Sequence, residues 1–229
     1  MRNYIILLAT SLVACLDTYA VSAPITQLAP TGFELEPTPP LRERSLTPLG
    51  EAVLEAMQSG SPLSDHARFG ETKDVTLRRY KSIALSIVTV TDVPREAFIL
   101  ASLGFFEGRY WAHIDEGRCN AHPDLGNCDN GHAFSIWQIH PGRTGIVVDG
   151  DCESWTYAVS LKDKDNAIDG EEMVANRDQG ACVALAMVRK SLKMTTALYG
   201  YAGEGNEDKA RMRLEVADRW LKRFWKGDR

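Results

Sequence analysis

At 229 residues, with hydrophobic residues at 44% and charged residues at 25%, the chain has the make-up of one globular domain with extensions. A disulfide-only miniprotein and a mostly disordered or collagen-like chain are excluded. Lys and Arg total 26 against 31 Asp and Glu, a formal charge of -5, so no positive field is available to hold nucleic acid nonspecifically and no nucleic-acid partner is expected.

The chain opens on Met1, Arg2 and Asn3, followed by the eleven-residue apolar run Tyr4 to Ala14. That run is too short to span a bilayer and suits the apolar stretch of an export signal. Two endings compete: Leu12-Val13-Ala14-Cys15 has the form of a lipobox, which makes Cys15 a lipidation candidate, and Thr18-Tyr19-Ala20 offers an ordinary cleavage site. Six of the ten prolines lie between Pro24 and Pro48, which reads as an extended tether. The expected organisation is a signal peptide or lipoprotein signal over 1–22, a proline-rich tether over 23–47 and one domain over 48–229. The expected location is periplasmic, with membrane attachment as an outer-membrane lipoprotein through Cys15, or secreted if the other cut is used.

Within the domain, Thr47-Pro48 forms a helix cap and first-turn proline, with Leu49, Val53, Leu54 and Met57 on one face until Ser59-Gly60-Ser61-Pro62 ends the helix. From Asp74, the spacing of Leu77, Tyr80, Ala84 and Ile87 predicts a second helix, although Ile87-Val88-Thr89-Val90-Thr91 is β-branched. Asp92 is expected to cap a third, strongly apolar helix with Pro94 in its first turn, running through Ala97, Phe98, Leu100, Ala101 and Phe105 to Glu107. Residues Gly108 to Gly150 are rich in Gly, Asn, Asp, Pro and Cys, with short strands or a hairpin expected around Ala133 to Ile139. Helical spacing resumes at Glu171 through Val183 to Leu192 and again from Thr195 to Tyr201. The last helix carries Met212, Val216, Trp220 and Phe224 as its apolar face, with acids at its start and bases at its end. The predicted fold is mainly α: a helical bundle around a central helix ending in Glu107, with a small irregular or β insertion held by disulfides.

Setting Cys15 aside leaves Cys119, Cys128, Cys152 and Cys182. Four cysteines in an exported chain favour two disulfides; of the three pairings, Cys119 with Cys128 and Cys152 with Cys182 close the most natural loops. Cys119-x2-His122 and Cys128-x3-His132 also have a zinc-like spacing, but export favours disulfides, and neither metal nor cofactor is expected. Tyr110, Trp111, Trp137, Trp155 and Tyr157 are aromatic residues of the loop-rich middle that suit either sugar stacking or core filling.

Glu107 stands out chemically. An acid after Phe105-Phe106 at the end of an apolar helix is desolvated, which raises its pKa, and a carboxyl that keeps its proton is suited to protonating a leaving glycosidic oxygen. The purely structural alternative is that Glu107 pairs with Arg109 or sits at a helix surface. Further along lie Gly131-His-Ala-Phe-Ser135-Ile-Trp-Gln138-Ile-His-Pro141 and Ala197-Leu-Tyr-Gly-Tyr201-Ala-Gly-Glu-Gly205. The three blocks, in this order over roughly residues 75 to 225, resemble the soluble lytic transglycosylase and goose-type lysozyme-like superfamily. In that family a helix ends in Glu-Ser, a Gly-x-x-Gln-Ile/Leu-x-Pro block follows, and a helix with Ala-Leu-x-x-Tyr-Asn comes later.

The resemblance implies a lysozyme-like fold and cleavage of the MurNAc to GlcNAc β-1,4 bond of peptidoglycan glycan strands. It implies Glu107 as catalytic acid and base, and Ser135, Gln138, Ile139 and Tyr201 as substrate-binding positions. The chain departs from the pattern at Gly108, where serine is usual, at Ser135, where glycine begins the second block, and at Ala202, where asparagine is usual. Retaining and inverting glycosidases normally need two carboxylates, and no second acid aligns here, although Asp115, Glu116, Asp124 and Asp129 lie nearby in sequence. A lytic transglycosylase needs only one: it protonates the leaving oxygen, the substrate's own N-acetyl group stabilises the cationic centre, and the same carboxylate then deprotonates the 6-hydroxyl to give an anhydro end. The alternatives are a muramidase, and a non-catalytic peptidoglycan-binding or assembly protein of the same fold.

Overall fold

The computed structural model describes residues 45–118, 133–140, 170–195, 198 and 206–227. The chain divides into two units, Met1–Arg42 and Glu43–Arg229, and every described residue belongs to the second. Seven α-helices are described: α1 (Pro48–Gly60), α2 (Lys73–Val90), α3 (Pro94–Gly108), α4 (Ala112–Asp115), α5 (Gly170–Ala175), α6 (Arg177–Thr195) and α7 (Glu207–Phe224). A 3-10 segment, Leu63–Phe69, joins α1 to α2. Among the described residues the β-structure is the single antiparallel bridge between Phe134 and Ile139, so the domain is mainly helical. No described helix is long and apolar enough to cross a membrane. The predicted export signal, the tether up to Arg44, Cys15, Cys119, Cys128, Cys152 and Tyr201 lie outside the described residues.

Helix α1 begins as its sequence dictates. Thr47 Oγ1 accepts a hydrogen bond from the Gly50 amide at 3.1 Å, and Pro48 occupies the first turn, where a missing N–H costs nothing. Leu49, Val53, Leu54 and Met57 are all buried. Helix α2 runs through the β-branched stretch to Val90 because Ile87 and Val90 are buried in the core, and that burial outweighs the few tenths of a kcal/mol by which β-branching disfavours a helix.

The start of α3 differs from expectation. Val93, not Asp92, is the residue preceding the helix, and Asp92 stays exposed. No side chain caps the helix; the Thr91 hydroxyl accepts from the Val93 amide at 3.1 Å and donates to Glu96 at 2.6 Å. Glu96 in turn receives two hydrogen bonds from Arg189 of α6, at 2.9 and 2.8 Å. The entry to α3 is therefore fixed by a long-range ion pair and a threonine, which local sequence could not reveal.

Residues Ala97 to Gly104 of α3 are all buried, the pattern of a helix with neighbours on every side. It packs most extensively against α7 and also touches α1, α6 and α2. On α7 the inward positions are Ala210, Arg213, Val216, Ala217 and Trp220, while Met212 is 44% exposed. The predicted stripe through Met212 is thus corrected. Steps of four residues drift by about 40° each on a 3.6-residue helix, so the face centred on Trp220 passes through Arg213, not Met212.

Candidate active site at the end of helix α3

The end of α3 is built for close approach. A Cβ on Gly104 would lie 2.9 Å from the Tyr110 ring, and one on Gly108 would lie 2.9 Å from Ile114 Cγ2 and 3.1 Å from the Ile136 carbonyl oxygen. Two glycines four residues apart thus leave a smooth face onto which Tyr110 and the 134–139 turn settle. Any side chain at Gly108 would press on Ile114 and on the Ile136 carbonyl, which is the physical reason for glycine at this position.

Beyond Gly108 the chain reverses through Arg109 and Tyr110, at φ 50° and 54°. Two successive non-glycine residues in the left-handed region cost about 1–2 kcal/mol each and persist only where tertiary contacts hold them. Arg79 Nε donates to the Tyr110 carbonyl at 2.9 Å, Ser61 Oγ to the Arg109 carbonyl at 3.4 Å, and the Tyr110 hydroxyl to the Ala101 carbonyl at 2.5 Å. Arg79 is itself gripped by both oxygens of Glu71 and lies 3.2 Å from His66 Nδ1, while His66 Nε2 is 2.7 Å from the Tyr80 hydroxyl. This buried network on the 3-10 segment and α2 thus locks the reversal that directly follows Glu107.

The second block forms a tight turn. Phe134 and Ile139 exchange two backbone hydrogen bonds of 2.9 Å. Ser135 and Gln138 adopt φ 60° and 48°, in the left-handed region that ordinarily favours glycine. Serine is accommodated because its hydroxyl accepts from the Trp137 amide at 3.3 Å. The Ser135 carbonyl accepts from both the amide and the side-chain amide of Gln138, at 3.1 and 3.0 Å. Trp137 anchors the turn to α3 by donating its indole N–H to the Leu100 carbonyl at 3.0 Å.

Glu107 meets a partner that the sequence reading missed. Nε of Arg213, at 3.0 Å, and its Nη2 both donate to Oε1 of Glu107. The two side chains are only 19% and 9% exposed. The Arg213 guanidinium also lies 5.7 Å over the Phe106 ring. Burial pushes the Glu107 carboxyl above its ordinary value, and this outweighs the opposing pull of Arg213, with smaller contributions from Lys209 and His140. Arg109, the partner considered from sequence, instead stacks on Phe105 at 4.6 Å. The signal for Arg213 was present in the sequence: an arginine in the buried spacing Ala210, Arg213, Ala217, Trp220.

The other expected site residues divide. Gln138 is half-buried on the turn that abuts the end of α3, Ser135 is buried against Gly180, and Ile139 is fully buried. Tyr201 lies outside the described residues. Cys182 is fully buried on α6, and Cys152, its favoured partner, lies outside the described residues, as do Cys119 and Cys128. Asp115 is held by Arg177 of α6, and Glu116 by Arg118. Tyr110 and Trp137 are fully buried and fill the core, so neither is a sugar platform. Trp111 is half-buried, stacked on His113 with ring centroids 5.6 Å apart. No protein-family model, no curated protein and no solved structure matches the chain.

Proposed function

We propose that the protein is an exported, lysozyme-like lytic transglycosylase that cleaves the MurNAc to GlcNAc β-1,4 bond of peptidoglycan with Glu107 as its single general acid and base. One observation carries this reading: a carboxyl at the end of a buried helix, raised by burial yet still partly open, beside the glycine-cleared face that receives the Gln138 turn. Such a carboxyl keeps its proton toward neutral pH, which donation to a glycosidic oxygen requires. Gln138 and Tyr201 contact the saccharide, two disulfides among Cys119, Cys128, Cys152 and Cys182 hold the insertion, and Cys15 or the cut after Ala20 sets whether the enzyme is anchored or free. Incubation of wild type and Glu107→Gln with purified peptidoglycan tests it. Loss of a general acid costs about 100-fold or more in rate, and fragments should carry anhydro ends by mass spectrometry. Reducing ends would indicate a muramidase, and equal release by both proteins would remove Glu107 from the chemistry.

The ion pair with Arg213 favours a second reading, a non-catalytic peptidoglycan-binding protein in which Glu107 is a structural tie between α3 and α7. That reading predicts binding of glycan fragments with no Glu107-dependent release.

A further inference from the structure

Among the described residues, four arginine–carboxylate pairs with a shielded acid tie the domain together, and one is built differently. Arg79 donates to both oxygens of Glu71, Arg177 to both oxygens of Asp115, and Arg189 to both oxygens of Glu96. Each is a fork meeting a fork, with every carboxylate oxygen occupied. Arg213 instead directs Nε and Nη2 at the same oxygen, Oε1 of Glu107, and among the described residues Oε2 receives no hydrogen bond.

The difference matters for proton chemistry. In a fork-to-fork pair either oxygen, once protonated, turns an O–H toward an N–H that cannot accept it. Protonation therefore breaks the pair, and such carboxylates serve as structural anions. With both donors on Oε1, a proton on Oε2 meets no opposing donor, and the two hydrogen bonds to Oε1 persist whether Glu107 is acid or carboxylate. The guanidinium cannot drift to the other oxygen easily. Phe106 lies under it, its side chain is 9% exposed, and the Arg213 backbone carbonyl is held by the Ser102 hydroxyl of α3 at 2.8 Å.

We infer that Arg213 is a positioning residue that fixes Oε1 of Glu107 and reserves Oε2 as the oxygen that carries the transferable proton. The inference rests on the reading of Glu107 as general acid and base. In the forward step the Oε2–H bond breaks, the proton goes to the glycosidic oxygen, and the C1–O bond breaks with its electron pair on that oxygen. The Oε2 carboxylate then takes the proton of the 6-hydroxyl as the O6–C1 bond forms, and Glu107 returns to its acid form. Arg213 stays bonded to Oε1 throughout.

Arg213→Met and Arg213→Lys in the full chain separate charge from geometry. Two readouts apply: titration of the Glu107 carboxyl by carbon NMR, and the pH dependence of kcat and KM for release of glycan fragments from peptidoglycan. Arg213→Met removes the positive charge that holds the carboxyl down, so its midpoint and the alkaline limb of kcat should both move to higher pH. Lysine keeps the charge but cannot place two rigid donors on one oxygen, so the midpoint should stay near wild type while kcat falls. A misplaced catalytic group costs about 100-fold, with KM little changed. Wild-type kcat in a folded Arg213→Lys, or an unmoved midpoint in Arg213→Met, overturns the role of Arg213 while leaving Glu107 as the acid. Equal cleavage by wild type and Glu107→Gln overturns the underlying reading of Glu107.

Discussion

Gly108→Ser adds a small side chain at the end of α3 and tests how the site is assembled. The new Cβ would sit 2.9 Å from Ile114 Cγ2 and 3.1 Å from the Ile136 carbonyl oxygen, where carbon contacts normally settle at about 3.5–4.0 Å. Neither neighbour yields freely. Ile114 is 4% exposed in the small cluster with Ala133, and Ile136 is fully buried in a turn pinned by the Trp137 bond to Leu100. Forcing an extra carbon into such a site costs about 1–3 kcal/mol. Serine recovers only about 0.5 kcal/mol of glycine's helix penalty, leaving a net loss of about 0.5–2.5 kcal/mol. For a domain of this size each kcal/mol moves Tm by about 2–4 °C, so thermal unfolding followed by circular dichroism should show a drop of about 1–10 °C. Because the turn carries Gln138, fragment release should fall as well. A Gly108→Ser protein with wild-type Tm and wild-type release would refute the close approach of the turn to α3, and with it the physical explanation for glycine here.

Arg79→Met leaves Glu71 and His66 buried without their shared partner and frees the left-handed Arg109–Tyr110 reversal. It should cost about 3–5 kcal/mol, read as a lower urea midpoint at unchanged m. Acid should destabilise the domain through Glu71 and Glu96. Burial raises both carboxyls, but Arg79, Thr76 and His66 around Glu71, and Arg189 and Thr91 around Glu96, outweigh it and hold both below their ordinary value of 4.5. A depressed pKa contributes stability above the unfolded value that is lost as pH falls through the folded one. The urea midpoint should therefore decline below about pH 4.5, and the decline should be shallower in Arg79→Met, which removes the main cause of the Glu71 depression. Trp137→Phe removes the bond to the Leu100 carbonyl and should cost about 1 kcal/mol, measured by the same denaturation.

Much of the fold is legible where one short stretch of chain carries the whole cause. Thr47 and Pro48 start α1 because a hydroxyl and a fixed φ act within one turn. The apolar run from Ala97 to Phe105 predicts a buried helix, and Glu107 at its end is a notable acid on sequence grounds alone. Prediction weakens where the cause is distant. Asp92 has the chemistry of a cap, yet α3 starts after Val93 without a side-chain cap, and Thr91 and Arg189 instead hold Glu96 in its first turn. Met212 fits a four-residue apolar repeat, yet the helix turns Arg213 inward to meet a carboxylate 106 residues earlier.

Capping and periodicity are interactions between near neighbours, so the helical class, the start of α1 and the candidacy of Glu107 are legible along the chain. Packing between distant segments sets the need for glycine at 108, the left-handed reversal at Arg109 and Tyr110, and the grip of Arg213 on one oxygen of Glu107. Each depends on atoms brought together from separate helices, and no local pattern encodes their distance.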